Sequence, residues 1–255
     1  MPFRILTFNI QNGQPWNDEN PDLDVVDINA VGKFLLSQDA DIICLQEVER
    51  GYDGGMQIEP PPNYGRLRHH LQGYDSVFSY PPKNETEIPF GLGLAIFSRW
   101  KIRGFEKLDL PAAPIQFEFA GKTRKASKRL LIGATVDACG VPVRVMNAHL
   151  QAFFMIGASS DQYPGQRNIV EALLRKQAGA AILAGDMNSA PGEGLVEQFQ
   201  SAGFSPGQCC QNTWRRRPYV VDHIFHNAAL RQTACKVVET DVSDHHALVG
   251  EFEPA

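Results

Sequence analysis

Asp41-Ile42-Ile43-Cys44-Leu45-Gln46-Glu47-Val48 is the stretch from which the rest of the 255-residue chain can be read. Four apolar residues in a row, two of them β-branched, predict a strand. The run then ends on an amide and a carboxylate, where an ordinary strand carries valine or isoleucine and where desolvating a charge is costly. Alternation puts Glu47 on the side of Ile43 and Leu45, at the carboxyl end of the strand. A carboxylate in that place wants a cation.

The same interruption recurs along the chain. In Ile5-Leu6-Thr7-Phe8-Asn9-Ile10 the period of two sets Ile5, Thr7 and Asn9 on one face, so an amide ends a buried face. Asn147 and His149 follow Val143 and Val145, and Asp186 and Asn188 follow Ala181-Ile182-Leu183-Ala184-Gly185. Asp222 and His223 lie within Tyr219 to Phe225, and Asp244 and His245 precede the last strand. A single Asp or Asn at a strand end is ordinarily a turn-former, but six such strand ends can converge on one edge of a sandwich. Carboxylate and amide oxygens without a thiolate cluster suit a hard cation, magnesium or manganese, rather than structural zinc. Histidines beside carboxylates supply proton donors or acceptors of fixed orientation. Phosphoryl transfer needs this inventory: a cation, an acid to prepare water, and donors for the oxygens that gain charge.

Outward from these ends, apolar or β-branched runs predict strands over 3–10, 42–48, 74–80, 93–98, 130–136, 141–150, 181–184, 219–226 and 247–252, about ten in all. Helical patterns fall at 25–37, 67–72, 166–177 and 194–202, the last stopped by Gly203. Short turns such as Ala138-Cys139-Gly140 join neighbouring strands, and helices intervene without a strict βαβ rhythm. The reading is an α+β chain whose two sheets pack as a sandwich flanked by helices, not a parallel Rossmann sheet. No linker, internal repeat or low-complexity tract divides it, so residues 1–255 are read as one domain.

Composition bounds the alternatives. Hydrophobic residues make up 43%, enough to bury a sizeable core, and the formal net charge of −5 excludes a globally basic nucleic-acid binder without excluding a local basic patch. Cys44, Cys139, Cys209, Cys210 and Cys235 lack zinc-ligand spacing and are expected to be reduced and mostly buried. The apolar stretch at Met1 to Ile10 is too short for a signal peptide, and no run approaches a membrane span. A cytoplasmic monomer without membrane insertion is the expectation.

In order and approximate spacing, Thr7-Phe8-Asn9-Ile10, Leu45-Gln46-Glu47-Val48, Gly93 to Arg99, Asn147-Ala148-His149-Leu150, Gly185-Asp186-Met187-Asn188, Val221 to Phe225 and Ser243-Asp244-His245 resemble the endonuclease/exonuclease/phosphatase family, over residues 3–252. The resemblance implies a four-layer α/β/β/α sandwich of two mostly antiparallel sheets, with metal-dependent hydrolysis of a phosphate ester at one edge. It implies Glu47 as main metal ligand with Asn9 close by and Asp244 adding negative charge. Asp186 would orient or deprotonate water, and Asn188 would hold the phosphate or a second ion. His245, its tautomer fixed by Asp222, would contact a phosphoryl oxygen, with His149 as a second donor. Apurinic-site endonucleases carry a tyrosine where this chain has His149, which points away from that branch. A phosphodiesterase or nuclease is the leading expectation. Enzymes for lipid or inositol headgroups, and a binding module without turnover, are the alternatives.

Some features stand outside these motifs. Lys122, Arg124, Lys125, Lys128 and Arg129 suit either contact with a nucleic-acid backbone or anionic headgroup or a solvated hairpin loop, the latter slightly favoured. Arg215 and Arg216, ahead of Asp222, are candidate substrate contacts. Residues 151–166, with Phe153, Phe154, Met155 and Ile156, either face a ligand or cover the core. His69 and His70 are expected at the surface of a helix.

Overall fold

Sixteen strands and four α-helices form among the described residues of the computed structural model, 2–84 and 90–255. The strands are β1 (Phe3–Asn9), β2 (Ile42–Gln46), β3 (Glu49–Arg50), β4 (Asp75–Ser79), β5 (Gly91–Leu92), β6 (Leu94–Ser98), β7 (Arg103–Leu110) and β8 (Gln116–Phe119). They continue as β9 (Lys122–Lys125), β10 (Arg129–Ala138), β11 (Val141–His149), β12 (Ala181–Asp186), β13 (Phe204–Pro206), β14 (Asp222–Asn227), β15 (Leu230–Val238) and β16 (Ala247–Pro254). The helices are α1 (Ile28–Ser37), α2 (Pro62–His70), α3 (Gly165–Leu174) and α4 (Leu195–Ser201).

Two six-stranded sheets carry the architecture, in the orders β15-β16-β1-β2-β6-β4 and β13-β14-β12-β11-β10-β7. Within them only β1 with β2 and β11 with β12 run parallel. Alternation sorts the side chains into layers. Ile5, Ile42, Cys44 and Ile96 of the first sheet meet Ile132, Val143, Val145 and Ile182 of the second. On the outer face of the first sheet Leu6, Phe8, Ile43 and Leu45 pack on Val31 and Leu35 of α1 and Leu67 of α2. Across the molecule Met146, Leu183 and Phe225 pack on Val170 and Leu174 of α3 and Phe199 of α4. The result is a four-layer α/β/β/α sandwich, and each fully buried aliphatic or aromatic side chain contributes about 1.5–3 kcal/mol.

Because the two parallel pairs point the same way, the carboxyl ends of β1, β2, β11 and β12 share one edge of the sandwich. The start of β14 joins them, since Asp222 pairs with Asp186 across β14 and β12, which in turn pairs with His149. Beneath that edge a polar bridge crosses between the sheets. Gln46 Nε2 donates to Thr7 Oγ1 (3.1 Å) and to Asn147 Oδ1 (2.7 Å), and Asn147 Nδ2 donates to the carbonyls of Leu45 (2.9 Å) and Ala95 (3.0 Å).

Several expectations need correction. Ile43 and Leu45 face the helices, but Glu47 does not follow them: it leaves the strand at φ +52°, which swings its carboxylate over the edge toward Asn9. Helix α1 begins at Ile28, where Asp27 accepts the amide of Ala30 (2.9 Å), and α2 starts at Pro62, five residues before the apolar pattern suggests. The solvent-facing β7 and β15 escape the apolar pattern because their side chains are mostly exposed. The five cysteines are all free, yet only Cys44 is buried; Cys139 lies in the left-handed turn between β10 and β11, and Cys209 and Cys210 lie in an exposed loop. The basic cluster does form a hairpin, β8 with β9, but Arg129 belongs to β10. His69 is exposed on α2, whereas His70 is half-buried, its Nε2 2.9 Å from Asn29 Oδ1. No helix among the described residues is long and apolar enough to cross a membrane.

Candidate active site

Six strand ends deliver polar side chains to this one edge, and all but Glu47 are more than nine-tenths buried. Asn9, at the end of β1, lies between two carboxylates: its Nδ2 donates to Glu47 Oε1 (3.0 Å) and to Asp186 Oδ2 (2.9 Å), while its Oδ1 accepts the backbone N–H of Gln11 (3.0 Å). His149 Nε2 faces the same pair, 3.7 Å from Glu47 and 3.6 Å from Asp186. Asp186 Oδ1 takes the N–H of Asn188 (2.9 Å), and Asn188 Nδ2 donates to the Leu150 carbonyl (3.1 Å). On the far side His245 Nδ1 sits 2.8 Å from Asp222 Oδ2, which leaves Nε2 aimed at the cluster, 3.9 Å from both Asp186 and Asp244.

Backbone conformation aims several of these groups. Gln11, Asn12, Glu47 and Asn188 all adopt positive φ without being glycine, four of seven such residues among those described. Such conformations cost free energy and concentrate where surrounding structure over-determines them. Two glycines make room. A Cβ at Gly185 would stand 2.0 Å from the Ala148 carbonyl oxygen, and one at Gly91 would stand 2.3 Å from Glu47 Oε2.

The electrostatics follow from burial and proximity. Burial pushes Glu47 up to about 7 against its hydrogen bond from Asn9. Burial, then the charge of Asp222, pushes Asp186 to about 7 as well. Burial disfavours a charged His245, but Asp222, Asp244 and Asp186 outweigh it and raise that imidazole to about 10. Burial, reinforced by the Arg129 and His245 charges, holds His149 far below the ordinary histidine range, so it stays neutral. Two crowded carboxylates that resist ionisation together describe a place short of one positive charge. Glu47, His149 and Asp186 bring their ligand atoms within 4.8 Å of one another, as do Asp186, Asp222 and His245. This oxygen-rich set fits a hard divalent cation.

Asp244 lies outside both groups, its Oδ2 taken by Arg216 Nε (2.8 Å) and Trp214 Nε1 (3.2 Å). Arg216 also binds Asp22 (2.8 Å), so it reaches the cluster through Asp244. Arg215 turns away, toward the Thr240 carbonyl (3.0 Å), Asp241 and Asp18. Of the 151–166 segment, Phe153 is buried and Met155 is exposed. Phe154 meets Trp214 at a tilt (5.5 Å) and Tyr219 edge-on (5.4 Å), with Arg217 over both Phe154 and Tyr219.

A sequence profile of the endonuclease/exonuclease/phosphatase family matches residues 6–245. The chain belongs to that family. Members of this family are hydrolases acting on phosphoester bonds. No curated protein's sequence matches this chain. Solved structures reproduce the fold. A family member from Beutenbergia cavernae superposes with a TM-score of 0.72 at 21% identity, over 100% of this chain and 72% of that one. A mannosyl-6-phosphatase of Bacteroides thetaiotaomicron gives 0.67 at 16% identity, over 98% and 99%. The catalytic domain of human nocturnin, solved with a bound sulfate anion, gives 0.64 at 19% identity, over 100% and 95%.

Sequence reading assigned no role at this cluster to three residues that the structure sets against it. Gln11, with its amide nitrogen toward Asp244 Oδ1 (3.1 Å), accepts from Arg216 (3.3 Å). Ser243 Oγ donates to the Asn9 carbonyl (2.7 Å) and takes the N–H of His245 (3.2 Å), tying two site segments together. Arg129 bears on both Glu47 and His149; its position opening the strand whose Leu130 pairs with His149 was the available signal.

Proposed function

We propose that this chain is a divalent-metal-dependent phosphodiesterase, with magnesium or manganese as its ion and nucleic acid as the favoured substrate class. The observation that carries the reading is the meeting of Glu47, Asn9, Asp186, His149 and an Asp222-bound His245 at one edge, linked by contacts of 2.8–3.9 Å. Glu47 would hold the cation, with Asp186 and His149 facing it, Asn9 setting the distance between the carboxylates and Asp244 adding charge beyond them. The cation supplies Lewis-acid polarisation of the phosphate and charge neutralisation.

The remaining chemistry belongs to the chain. Asp186, held by Asn9 and the Asn188 amide, orients water for in-line attack and accepts its proton, a role helped by the burial that raises its pKa above the ordinary carboxylate range. His245 keeps its proton because Asp222 holds Nδ1, and it offers Nε2–H to a phosphoryl oxygen as charge builds. Neutral His149 and the Asn188 amide are further contacts for the phosphate. The half-buried Phe154 and Tyr219 with exposed Arg217 form an aromatic and cationic lip suited to a base and backbone phosphate, which favours a nucleic-acid substrate.

A panel of single-stranded and duplex oligonucleotides, phosphomonoesters, phospholipids and inositol phosphates, assayed with Mg2+, Mn2+ or chelator, tests this. Turnover of a phosphodiester only with added ion is expected. Turnover in chelator, or none of any substrate, would sink the mechanism.

A further inference from the structure

The carboxylate that the proposed function assigns to the cation sits on strained backbone, and something must hold it. Glu47 has φ +52°, and the turn opposite, Gln11 and Asn12, has φ +44° and +48°. The two segments touch through one main-chain bond, Asn12 N–H to the Glu47 carbonyl (2.7 Å). Beyond Asn9, whose side chain meets the Glu47 carboxylate and the Gln11 N–H, the side chain that ties the main-chain carbonyls of both segments is Asn63, in the first turn of α2. Its Nδ2 donates to the Asn12 carbonyl (3.2 Å) and to the Val48 carbonyl (3.1 Å), one on each segment. Asn63 is itself buried, and its own placement is fixed from below: Glu49 accepts the backbone amides of Tyr64 (2.8 Å) and Asn63, so a carboxylate from β3 caps the helix start.

We propose that Asn63 is a positioning residue for the acidic cluster, locking the 11–13 turn to the 47–48 segment so that Glu47 is presented to its neighbours at the edge. It touches no substrate and acts through two carbonyl groups. The inference rests on the metal-dependent reading only for its binding readout. The conformational claim stands on the backbone itself.

Asn63→Asp keeps the shape of the side chain but sets carboxylate oxygens against two carbonyl oxygens. Leu67→Ala, on the same helix and in the core with Val31 and Leu35, is the control for loss of stability alone. Mn2+ affinity of the substrate-free protein, measured by calorimetry, is expected to fall roughly tenfold or more in Asn63→Asp, as for loss of a residue that orients a ligand. In Leu67→Ala it should hold while the melting temperature drops. A crystal structure of Asn63→Asp should show Glu47 out of the left-handed region, and Asn63→Gln, which retains the donors, should recover part of the affinity. Glu47 unmoved in that structure, or Leu67→Ala weakening Mn2+ as much as Asn63→Asp, would overturn the proposal. A wild-type protein that binds no Mn2+ would instead overturn the phosphoesterase reading, and the Glu47 conformation in the mutant crystal would still decide the role of Asn63.

Discussion

At the scale of single residues, the division of labour rests on burial acting oppositely on neighbouring groups. His245 holds its proton through Asp222, so its contribution to activity should be lost as pH rises through the raised value near 10, while protonation of Asp186, itself raised to about 7, should set the acid limb. Asp222→Asn removes the largest of the charges that together outweigh burial. The alkaline limb of kcat against pH should therefore move down by more than one unit, toward the ordinary histidine range. Asp186→Asn and His245→Ala should each lower kcat by roughly 10²–10⁴-fold, the worth of a positioned proton-transfer group, with circular dichroism unchanged; near-wild-type kcat in either would remove that residue from the mechanism. Gly91 makes a separate prediction. A methyl group there collides with Glu47 Oε2, so Gly91→Ala should weaken Mn2+ binding by roughly tenfold, measured by calorimetry, although Gly91 bears no functional group.

At the scale of elements, legibility in the sequence followed burial. β1, β2, β6, β11 and β12 are buried along most of their length and announce themselves as apolar runs, whereas β7 reads as polar because most of its side chains face solvent. The polar interruptions were legible for the same reason: Asn9, Asp186 and His149 are costly in an apolar run, and a sequence can display that cost. Glu47 shows the limit. Alternation assigned it to the helix face, because nothing local says that the chain turns left-handed there; that conformation is set by Asn63 and Asn12, distant or silent in the pattern. Asn147 illustrates a polar residue whose interruption is structural. It satisfies carbonyls on β2 and β6 from the opposite sheet and receives Gln46 in return. Asn147→Leu removes the side-chain donor to the Leu45 and Ala95 carbonyls and one of the acceptors of Gln46 Nε2, so the variant should lose about 2–3 kcal/mol in urea unfolding, the desolvation cost of stranded polar groups. A loss under half of that would show that the two sheets hold their spacing without the bridge.

For the whole molecule, burial at the site sets carboxylates against their own ionisation, a cost that the proposed cation would relieve. Glu47 and Asp186 titrate near 7 in the folded protein against ordinary values of 4.5 and 3.8. A carboxylate raised by folding binds its proton more tightly in the native state, so stability is greatest below the unfolded value and declines as pH climbs through the folded one. His245, raised to about 10 from 6.5, has the same sign: its contribution is complete below 6.5 and is lost as pH passes through 10. The three shifts therefore add, and in chelator the melting temperature should fall steadily as pH is taken from about 4.5 to above 7. A divalent cation binding only the native state counters this by mass action, and its ligands must be deprotonated to bind. The stabilisation by Mg2+ or Mn2+ should thus be small at pH 5 and large at pH 8. Asp186→Asn, which removes one crowded charge while keeping the amide shape, should flatten the decline in chelator and shrink the metal effect together. Differential scanning calorimetry across that range measures both. A melting temperature that rises with pH in chelator, or a metal effect equal at pH 5 and pH 8, would mean that the charges at the sandwich edge are already balanced by the chain's own groups.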